Sequence, residues 1–504
     1  MRVLFDTNVI IGREDHKIIG EDLQNLLRII NKLKIDIVLH PKCIEDIKRD
    51  KDSSRKEIIL SKFKTYQILE KYPKPQRNDD FVRTIGEPTK INDEIDNLLL
   101  YALNRNTVNF LITEDIGIHK KAKKLILSDR VLNIIEALDL FRKEVPVEVK
   151  TPPALQKSTV SNLDVNDPIF DTLRSDYQGF DDWFAKKASS GRDCWTYQNT
   201  DGSLGAVLIY KIEQEVIPST PVLPKEKRLK ISTMKVSHVG YKIGELLLKL
   251  SFDLAIKNNI PEIYLTYFTK NGDFLLDLIK EYGFKKVSVI NHEWTEIPED
   301  VYVKKIVVDE KEVIGLSAFE ISKFFYPNLS DGINVKKFII PIQPQYFERL
   351  FTDFPTRQIK IDEYIGRLII EGNTIKKAYL SHSSTRQMEK GAILLFYRSE
   401  DFKSLVSLGV IESVYYNLIN HEEIISLVGK RSVYSLSEIE EISHNPTTVI
   451  LFNHHFHFKK PIKYRSLLKH NILNGPCQSI TKINHDQYLI IKEEGDVDER
   501  FTFN

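Results

Sequence analysis

Residues 91–115, INDEIDNLLLYALNRNTVNFLITED, decide how the first part of this chain folds. NDEIDNLLLYAL reads as an amphipathic helix, with Asp93 and Asp96 three residues apart and so on one face of its first turn. FLIT reads as a short buried strand, closed by Glu114 and Asp115. Working outward, VLF at 3–5, a helical stretch near 21–34, IDIVLH at 35–40 and a helix from Pro41 repeat the alternation, and another helix follows Asp115. That rhythm predicts a parallel α/β sheet.

In such sheets ligands collect at the carboxyl ends of strands. Asp6 ends the first strand, Asp115 closes FLITED, and Glu45 stands about a turn into the helix behind Pro41. Any one of these acids is equally well read as a helix cap or as a partner of the helix dipole. Together with Asp93 and Asp96 they would repel one another unless a hard divalent cation, Mg²⁺ or Mn²⁺, neutralised them.

These residues carry a resemblance. FDTNVI at the amino terminus, an acid in the next strand–helix unit, D-x-x-D-N-LLLYAL and LITED before a helix resemble the PIN-domain ribonucleases over most of residues 1–144. The resemblance implies catalytic, metal-binding acids at Asp6, Glu45, Asp96 and Asp115. Asp93 and Glu114 are neighbouring alternatives, Asp46 adjoins Glu45, and Asn8 and Thr113 would orient ligands or water. The metal would activate a water in line with an RNA phosphodiester and stabilise the leaving oxygen, with no protein nucleophile. The run HKKAKK at 119–124 offers Lys120 and Lys121 to flanking phosphates, and reads equally as a solvated helix face.

A polar, proline-containing stretch, EVPVEVKTPPALQKSTVSNLD, marks the end of the first domain, taken as residues 1–146. Beyond it come a helix near 179–189, strands at CWTYQ and GAVLIYKIE, a proline-broken insertion at VIPSTPVLPKEK, and the strand RLKISTMKV. SHVGYKIG then leads into the helix ELLLKLSFDLAIKNN, and a helix N-terminus offers free N–H groups to a pyrophosphate. With the strand EIYLTYF and the segment LLDLIKEYGFKKV, the order is similar to the GNAT acetyltransferases over residues 168–306, within a domain taken as 147–310. The resemblance implies an acetyl-CoA site at Val236, Val239, Gly240, Lys242, Ile243 and Gly244. Val239 fills the first position of the family's loop pattern, Lys242 replaces its first glycine, and only Gly244 matches cleanly. The family's tyrosine is replaced by Ile279, while Tyr282 adjoins Gly283, so the residues favour CoA binding over acetyl transfer. His238 and Glu245 are candidate bases that read more simply as structural residues.

Over about residues 334–495, within a domain taken as 311–504, KKAYLSHSS, KGAILLFYRS, LGVIESVYY, KRSVYSLSEI and NGPCQSI resemble the PUA-like domains of the ASCH and EVE kind. A small β-barrel with helices is implied, with RNA contacts at Arg398, Lys430 and Arg431 beside Phe396, Tyr397 and Tyr434. The same aromatics read equally as barrel filling. On the strand TTVILFNHHFHF, His455 and His457 share a face, and no cysteine or carboxylate stands at a telling spacing, so these histidines read as structural.

The bulk numbers agree with three folded domains: 504 residues, 42% hydrophobic and 28% charged. With 72 basic and 71 acidic residues the net charge is +1, so any nucleic-acid surface is local. The three cysteines, Cys43, Cys194 and Cys477, form no disulfide or zinc pattern, and the polar break at Asp6 argues against a signal peptide or span, so a cytoplasmic chain is expected.

The expected molecule is thus an α/β multidomain protein: a PIN-like parallel sheet, a GNAT-like α/β domain and a PUA-like barrel. Its expected function is Mg²⁺- or Mn²⁺-dependent endoribonuclease, toxin-like or RNA-processing, with RNA (tRNA included) as substrate, an antitoxin-like inhibitor as a further partner, and no membrane. The alternative is an acyl-CoA-dependent N-acetyltransferase acting on RNA or protein over a scaffold PIN domain. A third reading is a binding protein with both sites dead.

Overall fold

The computed structural model describes residues 1–9, 21–48, 66–69, 72–76, 80–142, 154–199, 202–237, 241–270, 273–354, 367–369 and 374–504. They form two compact units, 1–150 with 416–449, and 151–415 with 450–504. Among the described residues no helix is long and apolar enough to cross a membrane.

The first unit is built on β1 (Arg2–Phe5), β2 (Asp36–Leu39), β3 (Gln67–Ile68), β4 (Phe110–Ile112) and β5 (Val131–Leu132). The order is β3-β2-β1-β4-β5 and every pairing is parallel. Val3–Phe5 and Phe110–Ile112 have no exposed surface, which is why they read as unbroken apolar runs: a central parallel strand is covered on both faces. The helix Ile91–Asn104 buries Ile95 and Asn97 through Leu103. The segment 416–449, expected in the third domain, packs within this unit: Glu422 accepts from Asn109 Nδ2 at 3.4 Å and Arg431 pairs with Asp129 at 2.9 Å.

The second unit holds β6 (Ala154–Thr159), β7 (Asp193–Gln198), β8 (Leu204–Ile217), β9 (Leu223–Val236), β10 (Glu262–Tyr267), β11 (Lys285–His292) and β12 (Thr295–Lys305). It continues through β13 (Leu329–Ser330), β14 (Lys337–Ile342), β15 (Arg367–Ile369), β16 (Lys376–Ser381), β17 (Ile393–Arg398), β18 (Ser404–Leu418), β19 (Thr447–Lys463), β20 (Thr481–Ile483) and β21 (Thr502–Phe503). An eight-stranded mixed sheet runs β11-β12-β10-β9-β8-β7-β6-β15. The expected proline-broken insertion is instead the tip of one long hairpin, because β8 reaches Ile217 and β9 already begins at Leu223, leaving Pro218 and Pro221 in the turn.

A six-stranded sheet runs β16-β19-β18-β17-β14-β20. The barrel expected here is not formed among the described residues: β16 and β20 stand at opposite ends of the order. β20 has only three residues, and helices close the core in place of a seam. Leu467 of Tyr464–Lys469 and Tyr488 and Ile491 of His485–Glu494 pack with Ile339, Ile393 and Leu408 of the strands.

Candidate functional sites

In the first unit the chain leaves β1 toward β2 on one side and leaves β4 toward β5 on the other. The carboxyl ends of β1 and β4 are therefore the switch point of the sheet, where a crevice opens. Asp6 follows β1 and its N–H donates to Ile112 O at 3.0 Å. Thr113 Oγ1 donates to Asp6 Oδ2 at 2.6 Å while accepting from Asp115 N–H at 2.9 Å and from Asn8 Nδ2 at 3.3 Å. One buried hydroxyl thus ties both strand ends together.

Asp115 caps the helix Ile116–Lys124, its Oδ1 accepting from Gly117 and Ile118 N–H at 2.6 and 3.1 Å. Asp96 looks into the same edge from the helix Ile91–Asn104. Burial raises its carboxyl to about 7, with the charges of Asp115, Asp6 and Asp93 adding and Lys121 opposing. The acids therefore feel one another, though among the described residues their ligand atoms are not gathered within 4.8 Å as a metal group would be. Asp93 is turned elsewhere. Against the cost of its burial, Lys121 and the Thr89 N–H hold its carboxyl below the usual range.

 Lys121, expected to meet RNA phosphates, is bound to Asp93 and donates to Asn97 Oδ1 at 2.7 Å, so its ammonium is already engaged. Lys120 is half-buried on the same helix. Glu45 lies on the helix Cys43–Lys48, and its side chain, like that of Asp46, falls outside the described residues.

In the second unit the site begins with a break in pairing. β10 lies parallel to β9 from Glu262↔Arg228 to Leu265↔Ile231, and there the pairing stops although β9 runs on to Val236 and β10 to Tyr267. The cause is on the other side of β9. Ile209 of β8 faces Thr233 and Tyr210 faces Ile231, leaving Ser232 as an extra residue. Such a bulge bends its strand and increases the local twist, which carries β9 away from β10.

Ser237 N–H donates to Gly205 O at 2.9 Å. Hydrogen-bonded pairs alternate along an antiparallel ladder, so Lys235 and Thr233 also bond toward β8, while the peptide groups of Met234 and Val236 face the opened side. The helix Tyr241–Lys257 starts soon after. Lys242, Ile243 and Gly244, expected in a loop, therefore belong to its first turn, whose N–H groups have no intrahelical acceptors. Val239 and Gly240 lie outside the described residues, as does His238. A Cβ at Gly244 would stand 2.9 Å from Leu278 Cδ2, so this glycine lets the helix Tyr241–Lys257 pack on the helix Phe274–Glu281. Glu245 is buried and accepts from Lys376 N–H at 2.9 Å, and Tyr282 is buried with its ring 6.0 Å from that of Phe252, structural positions for both.

Sequence reading missed the groups beyond the end of β10. Tyr267 pairs with Asp300, which sets β12 beside the opened end. There Glu299, 5% exposed, accepts from Tyr177 OH at 3.0 Å and lies 2.9 Å from His292 Nε2. Burial, then Glu299, pushes the Tyr177 phenol well up, so it stays a donor. The rings of Tyr177, His292 and Trp294 surround Phe268 at 5.0–5.8 Å. No motif spacing links Tyr177 to Glu299; only the fold does.

No family model matches this chain, and no curated relative does. Among solved structures, the ASCH protein of Zymomonas mobilis aligns at 15% identity over 31% of this chain and 94% of its own, with a TM-score of 0.24. Naa50 of Arabidopsis thaliana, in complex with a bisubstrate analogue, aligns at 21% identity over 30% of this chain and 97% of its own, with a TM-score of 0.22. Arylalkylamine N-acetyltransferase 2 of Aedes aegypti gives 11%, 30%, 99% and 0.22. Similarities this slight carry no function to this chain.

The cationic residues expected to meet RNA near the carboxyl terminus are engaged within the fold. Arg398 is buried and bonded to Asp401 and Glu348. Arg431 is paired with Asp129, and the side chain of Lys430 lies outside the described residues. Phe396, Tyr397 and Tyr434 are buried, which is the packing role open to them from sequence.

Proposed function

We propose that the eight-stranded sheet of the second unit binds an acyl-coenzyme A between β9 and β10 and transfers its acyl group to an amine. The observation that supports this best is the parting of two parallel neighbours at Ser232, on the strand that precedes the helix Tyr241–Lys257. An extended arm that carries amides can add to an opened strand edge as another strand would, here on Met234 and Val236. The first turn of Tyr241–Lys257 then offers N–H groups and the helix dipole to the pyrophosphate.

The acyl acceptor approaches from the far end of β10. Glu299, oriented by Tyr177 and His292, takes a proton from the amine as its nitrogen attacks the thioester carbonyl. The new C–N bond forms, the C–S bond breaks, and the released thiolate takes a proton from solvent. Ile279 and the buried Tyr282 supply no acid at the position expected from the resemblance. The test is incubation of the full chain with acetyl-CoA and a panel of primary amines and amino-terminal peptides, following release of free CoA thiol. Release that depends on the amine supports transfer.

A second reading concerns the first unit, and the crowding of acids at its switch point favours it. Asp6, Asp96 and Asp115, with Glu45 as a fourth candidate, would hold Mg²⁺ or Mn²⁺ for hydrolysis of RNA phosphodiesters. The ion would supply an activated water; Thr113 and Asn8 would hold the carboxylates in place. Cleavage of total RNA by the full chain with Mn²⁺, absent with chelator, tests it.

A further inference from the structure

We propose that Asp353, His454 and His457 of the second unit form a binding site for one divalent transition-metal ion of the zinc or ferrous class. One ligand atom from each of the three lies within 4.8 Å of the others, the one such grouping among the described residues. Asp353 Oδ1 is 3.0 Å from His457 Nε2, and the rings of His454 and His457 are 4.6 Å apart.

The observation that points to a ligand is His454. It is 1% exposed and neither of its ring nitrogens has a hydrogen-bond partner. Leaving a buried polar group without a hydrogen bond is costly, and a neutral imidazole with a nitrogen lone pair that the fold leaves unused is the form in which histidine meets a metal. His455 beside it is the contrast. Its Nε2 is 2.8 Å from Ser322 Oγ and its Nδ1 2.9 Å from Pro327 O, so both nitrogens are used by the fold. Strand alternation pairs His455 with His457, but the close rings of His454 and His457 mean that β19 departs from regular alternation here.

The surroundings are those of a built site. His457 Nδ1 lies 2.5 Å from Ser407 Oγ, which fixes the ring and turns Nε2 toward Asp353. A partner on the far nitrogen is the usual support of a metal-bound histidine. Asp353 Oδ2 accepts from Lys249 Nζ at 2.8 Å, so an ion would take Oδ1 and the His457 Nε2 that faces it, in place of the proton between them. Lys249 Nζ at 2.8 Å and His457 at 3.0 Å set cationic or donor groups against both carboxylate oxygens of Asp353. Lys249 is balanced by a second carboxylate, Asp253, at 3.0 Å. Two imidazoles and one carboxylate, without thiolate, suit zinc or iron(II) rather than magnesium or calcium, which prefer all-oxygen shells.

The experiment uses the full chain, stripped with chelator and titrated with Co²⁺ as a spectroscopic probe, then with Zn²⁺ in competition. The expected result is a visible ligand-field band that saturates and is displaced by Zn²⁺, with a rise in Tm on adding Zn²⁺. His454→Ala and Asp353→Asn should each weaken binding by at least about ten-fold, while Asp6→Asn keeps it, which separates this site from the acids of the first unit. A folded, unmodified chain that gives neither the band nor the rise in Tm overturns the proposal, and so does a band that His454→Ala leaves intact. The first of these needs no variant, so a variant that fails to fold does not spare the idea.

Discussion

Ile231 on β9 and Leu265 on β10 are the last partners of a parallel pairing that both strands outrun. If acetyl-CoA fills the gap beyond them, the Met234 and Val236 amides should exchange more slowly when it is added. Residue-resolved hydrogen exchange of the full chain checks this. Slowing confined to other elements would move the site elsewhere.

Glu299→Gln keeps the size of the side chain and a hydrogen bond with Tyr177 but removes the base. Amine-dependent CoA release should fall by about 10²–10⁴-fold, with acetyl-CoA affinity unchanged within a factor of about two. An equal loss of affinity would make Glu299 a binding or structural residue, and an unchanged rate would remove it from the mechanism.

Gly244→Val should act on packing before it acts on any ligand. The added atoms meet Leu278 Cδ2, and overpacking of this kind costs about 1–3 kcal/mol. Denaturant unfolding of the variant measures it. Unchanged stability together with lost acetyl-CoA binding would return Gly244 to the role expected of it from sequence, close approach of the ligand to the backbone.

Asp96 gives the first unit a pH dependence of stability in the absence of metal. Its folded pKa, raised to about 7, lies above an unfolded value near about 3.9. The folded state therefore binds more protons between these values, and stability falls as pH rises through that window. Asp96→Asn should flatten the fall and stabilise the chain at pH 8 by on the order of 1–2 kcal/mol after solvent screening. If the second reading is right, Mn²⁺ should do the same for the unmodified chain and not for Asp6→Asn. A Tm that rises with pH from 5 to 7.5, once other titrating groups are matched by the Asp96→Asn control, would contradict the crowding of acids.

The parallel sheet of the first unit was legible because β1 and β4, and the second half of β2, are buried on both faces and so appear as plain apolar runs. β3 and β5 were not, because Gln67–Ile68 and Val131–Leu132 are each only two residues long. Asp6 and Asp115 could be placed at strand ends from sequence alone, whereas the Thr113 hydroxyl that links them is seen only in the fold. Lys121, Arg398 and Arg431 could not be read correctly, since whether a cation faces solvent or a carboxylate distant in sequence is a property of packing. The same holds for Glu299 with Tyr177 and for Asp353 with His454, pairs separated by about a hundred residues, which no local pattern connects. The bulge at Ser232 was hidden for a different reason: one extra residue in a strand leaves its composition unchanged.

Calorimetric titration of the full chain with acetyl-CoA tests the central claim most directly. The opened β9–β10 edge predicts saturable binding of one acetyl-CoA per chain, retained by desulfo-CoA and weakened when the pyrophosphate is removed. No heat of binding, and no change in Tm at millimolar acetyl-CoA, would contradict it.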